Sequence, residues 1–180
     1  MALDDYKQEQ SGTDSMGCFI IYKRQSGNDA MGDRIAAIYT SRPDPHRKFH
    51  NWGHMLAEAF NCEGAVLMEN EDMEFKVFLD SLKQTDKWLV PRFNVSADLS
   101  IKGSAMRQYG ISPAGNKSAI INKAINYANE IIFSKNENGE DVQSYGIERI
   151  DCELLLEEMI NYKEGENHDR ITTFGIALIQ

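Results

Sequence analysis

The chain is poor in cysteine. Cys18, Cys62 and Cys152 are its three, far apart and without a Cys-x-x-Cys pair. That argues against a disulfide framework or a zinc ribbon and fits a reducing compartment. Long hydrophobic runs are missing as well, and none approaches the roughly 20 residues a membrane span needs. The opening residues are acidic and polar, not basic and apolar, so they do not read as a signal peptide. Internal repeats, low-complexity tracts and linkers are absent. Positive charge is short too: 19 Lys and Arg against 28 Asp and Glu leave a formal net charge of −9. Phosphate affinity comes mainly from Lys and Arg, so tight, indiscriminate nucleic-acid binding is disfavoured. A cation site built from carboxylates is nevertheless acidic by construction, and the bound ion reverses the local sign.

What remains is a chain of 180 residues, enough for one domain with a sizeable core. Met1-Ala2-Leu3 reads as the end of an apolar strand running into Asp4-Asp5. So abrupt a start leads us to expect a piece of a longer protein. GCFIIYKR at 17–24 and DRIAAIYT at 33–40 are strand-like, and the short polar turn between them predicts an antiparallel pair. Asp44-Pro45 is expected to open a helix with Phe49, Trp52, Leu56 and Phe60 inward. Ala65-Val66-Leu67-Met68 is apolar without alternation, as a parallel strand buried on both faces would be. Helices are then predicted at 72–84, 116–133, 151–162 and 168–180, with a hairpin at 131–149 turning at Asn138-Gly139. Trp88-Leu89-Val90 reads as a short strand in an otherwise loop-like stretch, 85–112. This order predicts an α/β domain, a mixed sheet with helices on its faces.

Three acids sit where such a sheet does chemistry. Asp4 ends the first strand and Glu69 ends the buried parallel strand. If those strands are parallel neighbours, both carboxylates leave the same sheet edge, where open α/β sheets place ligands. Asp169 lies in the first turn of the last helix and can reach that edge. Converging carboxylates repel and ionise less readily. Oxygen-only ligation suits Mg²⁺ or Mn²⁺. Two such ions about 4 Å apart can activate water and stabilise the leaving oxygen of a phosphodiester. A carboxylate at a strand end is also commonly a turn or cap residue, so position alone leaves both readings open.

The motifs taken in order resemble the nuclease domain of tailed-phage terminase large subunits. Ala-Leu-Asp-Asp-Tyr at 2–6 followed by GCFIIYKR is similar to that family's first strand and hairpin. Asp4 falls on the catalytic position, and Asp5 stands where the family commonly has proline. IAAIYTSRPD at 35–44 is similar to the third strand and Arg-Pro turn, and VLMEN at 66–70 to the second acidic motif, which picks out Glu69. LLLEEMINYKEGENHDRI at 154–171 resembles the closing motif, with Asp169 on the third metal ligand. The resemblance covers nearly the whole chain. It implies a ribonuclease H-like fold, and a metal-dependent endonuclease that cuts double-stranded viral DNA during genome packaging. Mg²⁺ or Mn²⁺, as two ions, would be held by Asp4, Glu69 and Asp169. An ATPase domain absent from this chain, portal and small terminase subunits are the implied partners, at the packaging motor in the host cytoplasm. Asp5, Glu71 (with Asp72), His168 and Arg170 are candidates to support the ligands or meet a phosphate, each with a cap or surface role as the plain alternative. Lys102, Arg107 and Lys117, with Lys123, form a loose basic group that could line a DNA approach or be solvated surface. A junction resolvase, an RNA:DNA hybrid nuclease or a non-catalytic scaffold module are the rival readings.

Two further signals are set aside. His46, His50 and His54 recur at four-residue spacing, which can bind zinc, but without a His-Glu-x-x-His pattern they are expected to form a polar helix face. Gly110 to Ser118 has one residue too many for a phosphate-binding loop and lacks a clear preceding strand, so ATP hydrolysis is not expected.

Overall fold

A computed structural model describes residues 1–6, 16–24, 26, 32–69, 73–91, 109–112, 115–164, 166, 168–179. β1 (Ala2–Asp4), β2 (Gly17–Lys23), β3 (Arg34–Ser41) and β4 (Leu67–Met68) form one sheet in the order β3-β2-β1-β4. β2 is antiparallel to both β1 and β3, as the sequence predicts for the pair at 17–40. β1 and β4 are parallel, with Ala2 opposite Leu67 and Leu3 opposite Met68. Beyond β4, Leu89 bridges Val66 and Ile111 bridges Glu69, both in parallel sense. The short strand expected at 88–90 is therefore a single bridge that extends the sheet edge.

Two apolar layers follow from the period-two alternation of strand side chains. Ala2, Cys18, Ile20 and Leu67 face one way, towards α4 (Lys117–Asn129) and α6 (Asp169–Ile179). Leu3, Phe19, Ile21 and Met68 face the other, towards α1 (Arg47–Ala59) and α2 (Glu74–Ser81). α3 (Thr85–Trp88) joins the second layer through Trp88. The architecture is thus a mixed sheet flanked by helices. A hairpin of β5 (Ile131–Lys135) and β6 (Asp141–Tyr145) projects from the body, and its turn at Asn138-Gly139 is as the sequence predicts, with Gly139 at φ 79°. A 3₁₀ turn (Gly146–Arg149) and α5 (Glu153–Ile160) lead to α6.

Two glycines let the helices approach closely. A Cβ on Gly53 would lie 2.2 Å from the Phe19 ring, and one on Gly175 would lie 2.2 Å from the Ile120 carbonyl oxygen. α6 is buried nearly all round, because the sheet, α4 and α5 each cover one of its sides.

Several expectations shift. α1 starts at Arg47 and not at Asp44-Pro45; the backbone carbonyls of Pro45 and His46 take the N–H groups of Lys48 and Phe49. Its buried face is Phe49, His50, Gly53 and Ala57, while Trp52 and Phe60 are exposed. The inner stripe is therefore one helical step away from the large apolar residues. Ile125 of α4 and Leu154 of α5 are exposed as well. The three cysteines are free thiols. No helix among the described residues is long and apolar enough to cross a membrane.

Candidate metal centre

The parallel pairing of β1 and β4 decides where the first two acids go. The Glu69 N–H donates to the Leu3 carbonyl at 2.9 Å, so the strand ends stay in register. Asp4 shares a face with Ala2, and Glu69 shares it with Leu67, both on the α6 side of the sheet. Their carboxyl groups are hydrogen-bonded to each other. Asp169 comes from the start of α6, and its Oδ2 accepts the Met16 N–H at 2.7 Å, just before β2 begins. β2 lies beside β1 with Cys18 opposite Asp4, which brings Asp169 to the same corner.

Asp4 is buried, and its carboxyl is held well above the ordinary carboxylate range. Burial is the largest cause, followed by the hydrogen bond that the protonated Asp4 donates to Glu69 and the negative charges of Glu69 and Asp169. A carboxyl so placed ionises less readily, and a divalent cation bound there would relieve the repulsion. A set of carboxylates with no nitrogen or sulfur donor among them is of the kind that suits a hard cation.

Glu158 builds the Asp169 end. Its Oε2 accepts the N–H groups of Arg170 and Ile171, each at 3.1 Å, and its Oε1 takes the Arg170 guanidinium at 2.7 Å. The opening amides of α6 are thus capped by α5. Arg170 is committed to that pair, so its role here is to hold the helix start. His168 is buried, its Nε2 is 3.0 Å from the Lys163 carbonyl oxygen, and its ring packs on Tyr162. Both candidates shape the turn before Asp169. Lys117 is exposed at the start of α4, its Nζ 3.5 Å from the Glu166 carbonyl on the segment leading to Asp169. Glu71, Asp72, Lys102 and Arg107 lie outside the described residues.

Asp5 does not join this cluster. It leaves the strand end on the opposite side of the sheet, towards α1. Its Oδ1 lies 2.7 Å from Nε2 of His46, and its Oδ2 lies 2.7 Å from Nε2 of His50. Nδ1 of His46 lies 2.6 Å from Oε2 of Glu74. Burial alone would raise the Asp5 carboxyl, but the two imidazole hydrogen bonds outweigh it and hold the group below its usual range. Burial would also lower the His46 pKa, yet Asp5 and Glu74 together hold it raised. His54 stands apart, its Nε2 bound to Gln84 Oε1 at 2.8 Å beside the Trp88 ring.

The polar helix face expected for His46, His50 and His54 is therefore corrected. His46 and His50 are 3% and 4% exposed and point into the protein. The signal that could have shown this is Gly53 and Ala57, which extend the stripe of His46 and His50 with side chains small enough for close packing. No protein-family model, curated protein or solved structure matches this chain.

Proposed function

We propose that this chain is a divalent-cation-dependent endonuclease that hydrolyses double-stranded DNA, of the ribonuclease H-like, terminase large subunit type. One observation carries the reading: Asp4, Glu69 and Asp169 come from three separate elements to one corner of the sheet, where the negative charges of Glu69 and Asp169 bear on the buried Asp4. The resemblance in the order of motifs supplies the substrate: viral genome DNA, cut at the packaging motor in the host cytoplasm, alongside an ATPase domain, portal and small terminase subunits.

Mg²⁺ or Mn²⁺ would be held by Asp4, Glu69 and Asp169; bound there as a pair, the ions supply water activation and charge stabilisation for phosphodiester hydrolysis. The chain's own residues set the geometry. The β1–β4 register fixes Asp4 against Glu69. Glu158 fixes the α6 turn that carries Asp169. Lys117 offers a cation beside the approach to Asp169. The excess of acids fits a cutting unit that leaves most of the DNA grip to its partners.

Plasmid nicking in Mn²⁺ tests the proposal. Wild type should relax supercoiled duplex DNA, and Asp4→Asn, Glu69→Gln and Asp169→Asn should reduce cutting to background while keeping the fold. Preference for four-way junctions or RNA:DNA hybrids over duplex would move the chain to another nuclease class. Normal cutting by all three folded variants would sink the site assignment.

A further inference from the structure

Asp5, His46 and His50 form a closed polar cluster under the α1 side of the sheet, and the nuclease reading does not use it. We propose that this cluster is a second metal site, selective for a transition metal such as Zn²⁺, with Nε2 of His46, Nε2 of His50 and a carboxylate oxygen of Asp5 as its ligands.

Four features of the geometry converge. His46 and His50 are four residues apart at the start of one helix, so both rings project to the same side. Their centroids are 4.4 Å apart. The third ligand comes from a different element, the end of β1, and all three ligand atoms lie within 4.8 Å of one another. Metal-bound imidazoles usually direct their second nitrogen to a carboxylate, which fixes the ring and its tautomer. Glu74 already occupies that position, 2.6 Å from Nδ1 of His46. The surroundings are apolar and aromatic: Tyr6, Phe49, Phe75 and Phe78 pack against the two rings. Such a shell limits solvent access to the two rings.

The chemistry separates this site from the carboxylate corner. Two imidazoles and one carboxylate suit Zn²⁺ and its neighbours, whereas oxygen-only sites suit Mg²⁺ and Mn²⁺. In the metal-free protein the ionised Asp5 can only accept, so each Nε2 carries its proton towards an Asp5 oxygen. When the ion binds both Nε2 lone pairs, the single proton of each neutral ring shifts from Nε2 to Nδ1, and no proton is lost. For His46 the carboxylate nearest that nitrogen is Glu74, at 2.6 Å. The ion would tie the end of β1 to α1 and so hold the strand that carries Asp4. Its ligands are distinct from the carboxylate trio, so the proposal stands or falls independently of the nuclease reading.

Calorimetric titration of the whole chain with Zn²⁺ tests it. Wild type should bind one Zn²⁺ that Asp4→Asn and Glu69→Gln leave in place. His50→Gln should abolish that binding, and Glu74→Gln should weaken it about 10- to 100-fold, as loss of a partner to a ligating histidine does. Zn²⁺ binding that is absent from wild type, or equally tight in folded His50→Gln, overturns the proposal. Should the His50 variant not fold, crystals of wild type grown with Zn²⁺ decide the matter. The anomalous peak must lie between Asp5, His46 and His50; a peak elsewhere, or none there, refutes the site.

Discussion

Asp4 and Asp5 are consecutive residues that leave one strand end in opposite directions. Asp4 meets other acids, Glu69 and Asp169, and is pushed towards its protonated form. Asp5 meets two imidazoles and is held ionised. The pleat alone separates them, since successive side chains of a strand point to opposite faces. Burial is similar on the two sides, so burial does not explain the difference. The partner does: like charge on one face, hydrogen-bond donors of opposite potential charge on the other. One site therefore gathers like charge around its buried acid, and the other pairs its acid with hydrogen-bond donors.

The contrast predicts opposite responses to mutation. The largest effect belongs to catalysis, where Asp4→Asn, Glu69→Gln or Asp169→Asn should each remove Mn²⁺-dependent nicking, read on agarose gels. In stability the order reverses. Asp5→Ala should cost about 3 kcal/mol, because it strips a buried ionic partner from His46 and His50. Chemical denaturation measures this, and a loss below about 1 kcal/mol would show that the network contributes little. Asp4→Asn in metal-free buffer should instead be no less stable than wild type, since it removes like-charge repulsion. A large loss there would mean that Asp4 is a structural acid.

Acid and base should also separate the two faces. A raised carboxyl such as Asp4 stabilises the fold at low pH, and that contribution is lost as pH rises through its folded value. A lowered one such as Asp5 stabilises above the ordinary carboxylate pKa, and is lost as pH falls through its folded value. His46, raised, stabilises below its ordinary pKa and loses that contribution as pH rises through its folded value. Metal-free melting curves should therefore decline on both sides of a mildly acidic optimum. Asp4→Asn should flatten the neutral side, and Asp5→Asn the acid side. A pH profile unchanged by both substitutions would contradict the assigned shifts.

The smallest effects come from packing. Gly175→Ala should destabilise by about 1–2 kcal/mol, because the new methyl meets a backbone oxygen of α4 that cannot turn aside. Gly53→Ala should cost less, since it meets the Phe19 ring and gains helix propensity. Thermal melts of the two variants should preserve that order.

These sites were unevenly legible in the sequence. The strands and the β1–β4 relation could be read because an apolar run without alternation, ending in an acid, is what a buried parallel strand looks like. The same pattern places Asp4 and Glu69 at one sheet edge, as the β1–β4 pairing does. The Asp5 cluster was hidden by a phase error of one helical step in α1. Large apolar residues at Phe49, Trp52, Leu56 and Phe60 imply one stripe, but Gly53 and Ala57 let the neighbouring stripe sit closer to the sheet and bury two histidines. Small residues mark close approach, and hydrophobicity alone does not register them. The capping of α6 by Glu158 was equally invisible, because it joins residues 12 and 13 positions apart through a turn whose path periodicity does not specify.

The central claim is that the Asp4 face, and not the Asp5 face, takes the hard divalent cation. Thermal melting of the full chain across a Mn²⁺ titration tests it directly. Mn²⁺ at about 100 times its dissociation constant should add about 2.7 kcal/mol to wild type. Asp5→Asn should keep that gain and Asp4→Asn should lose it. A gain that survives in folded Asp4→Asn and vanishes in folded Asp5→Asn would place the cation on the wrong side of β1 and contradict the account.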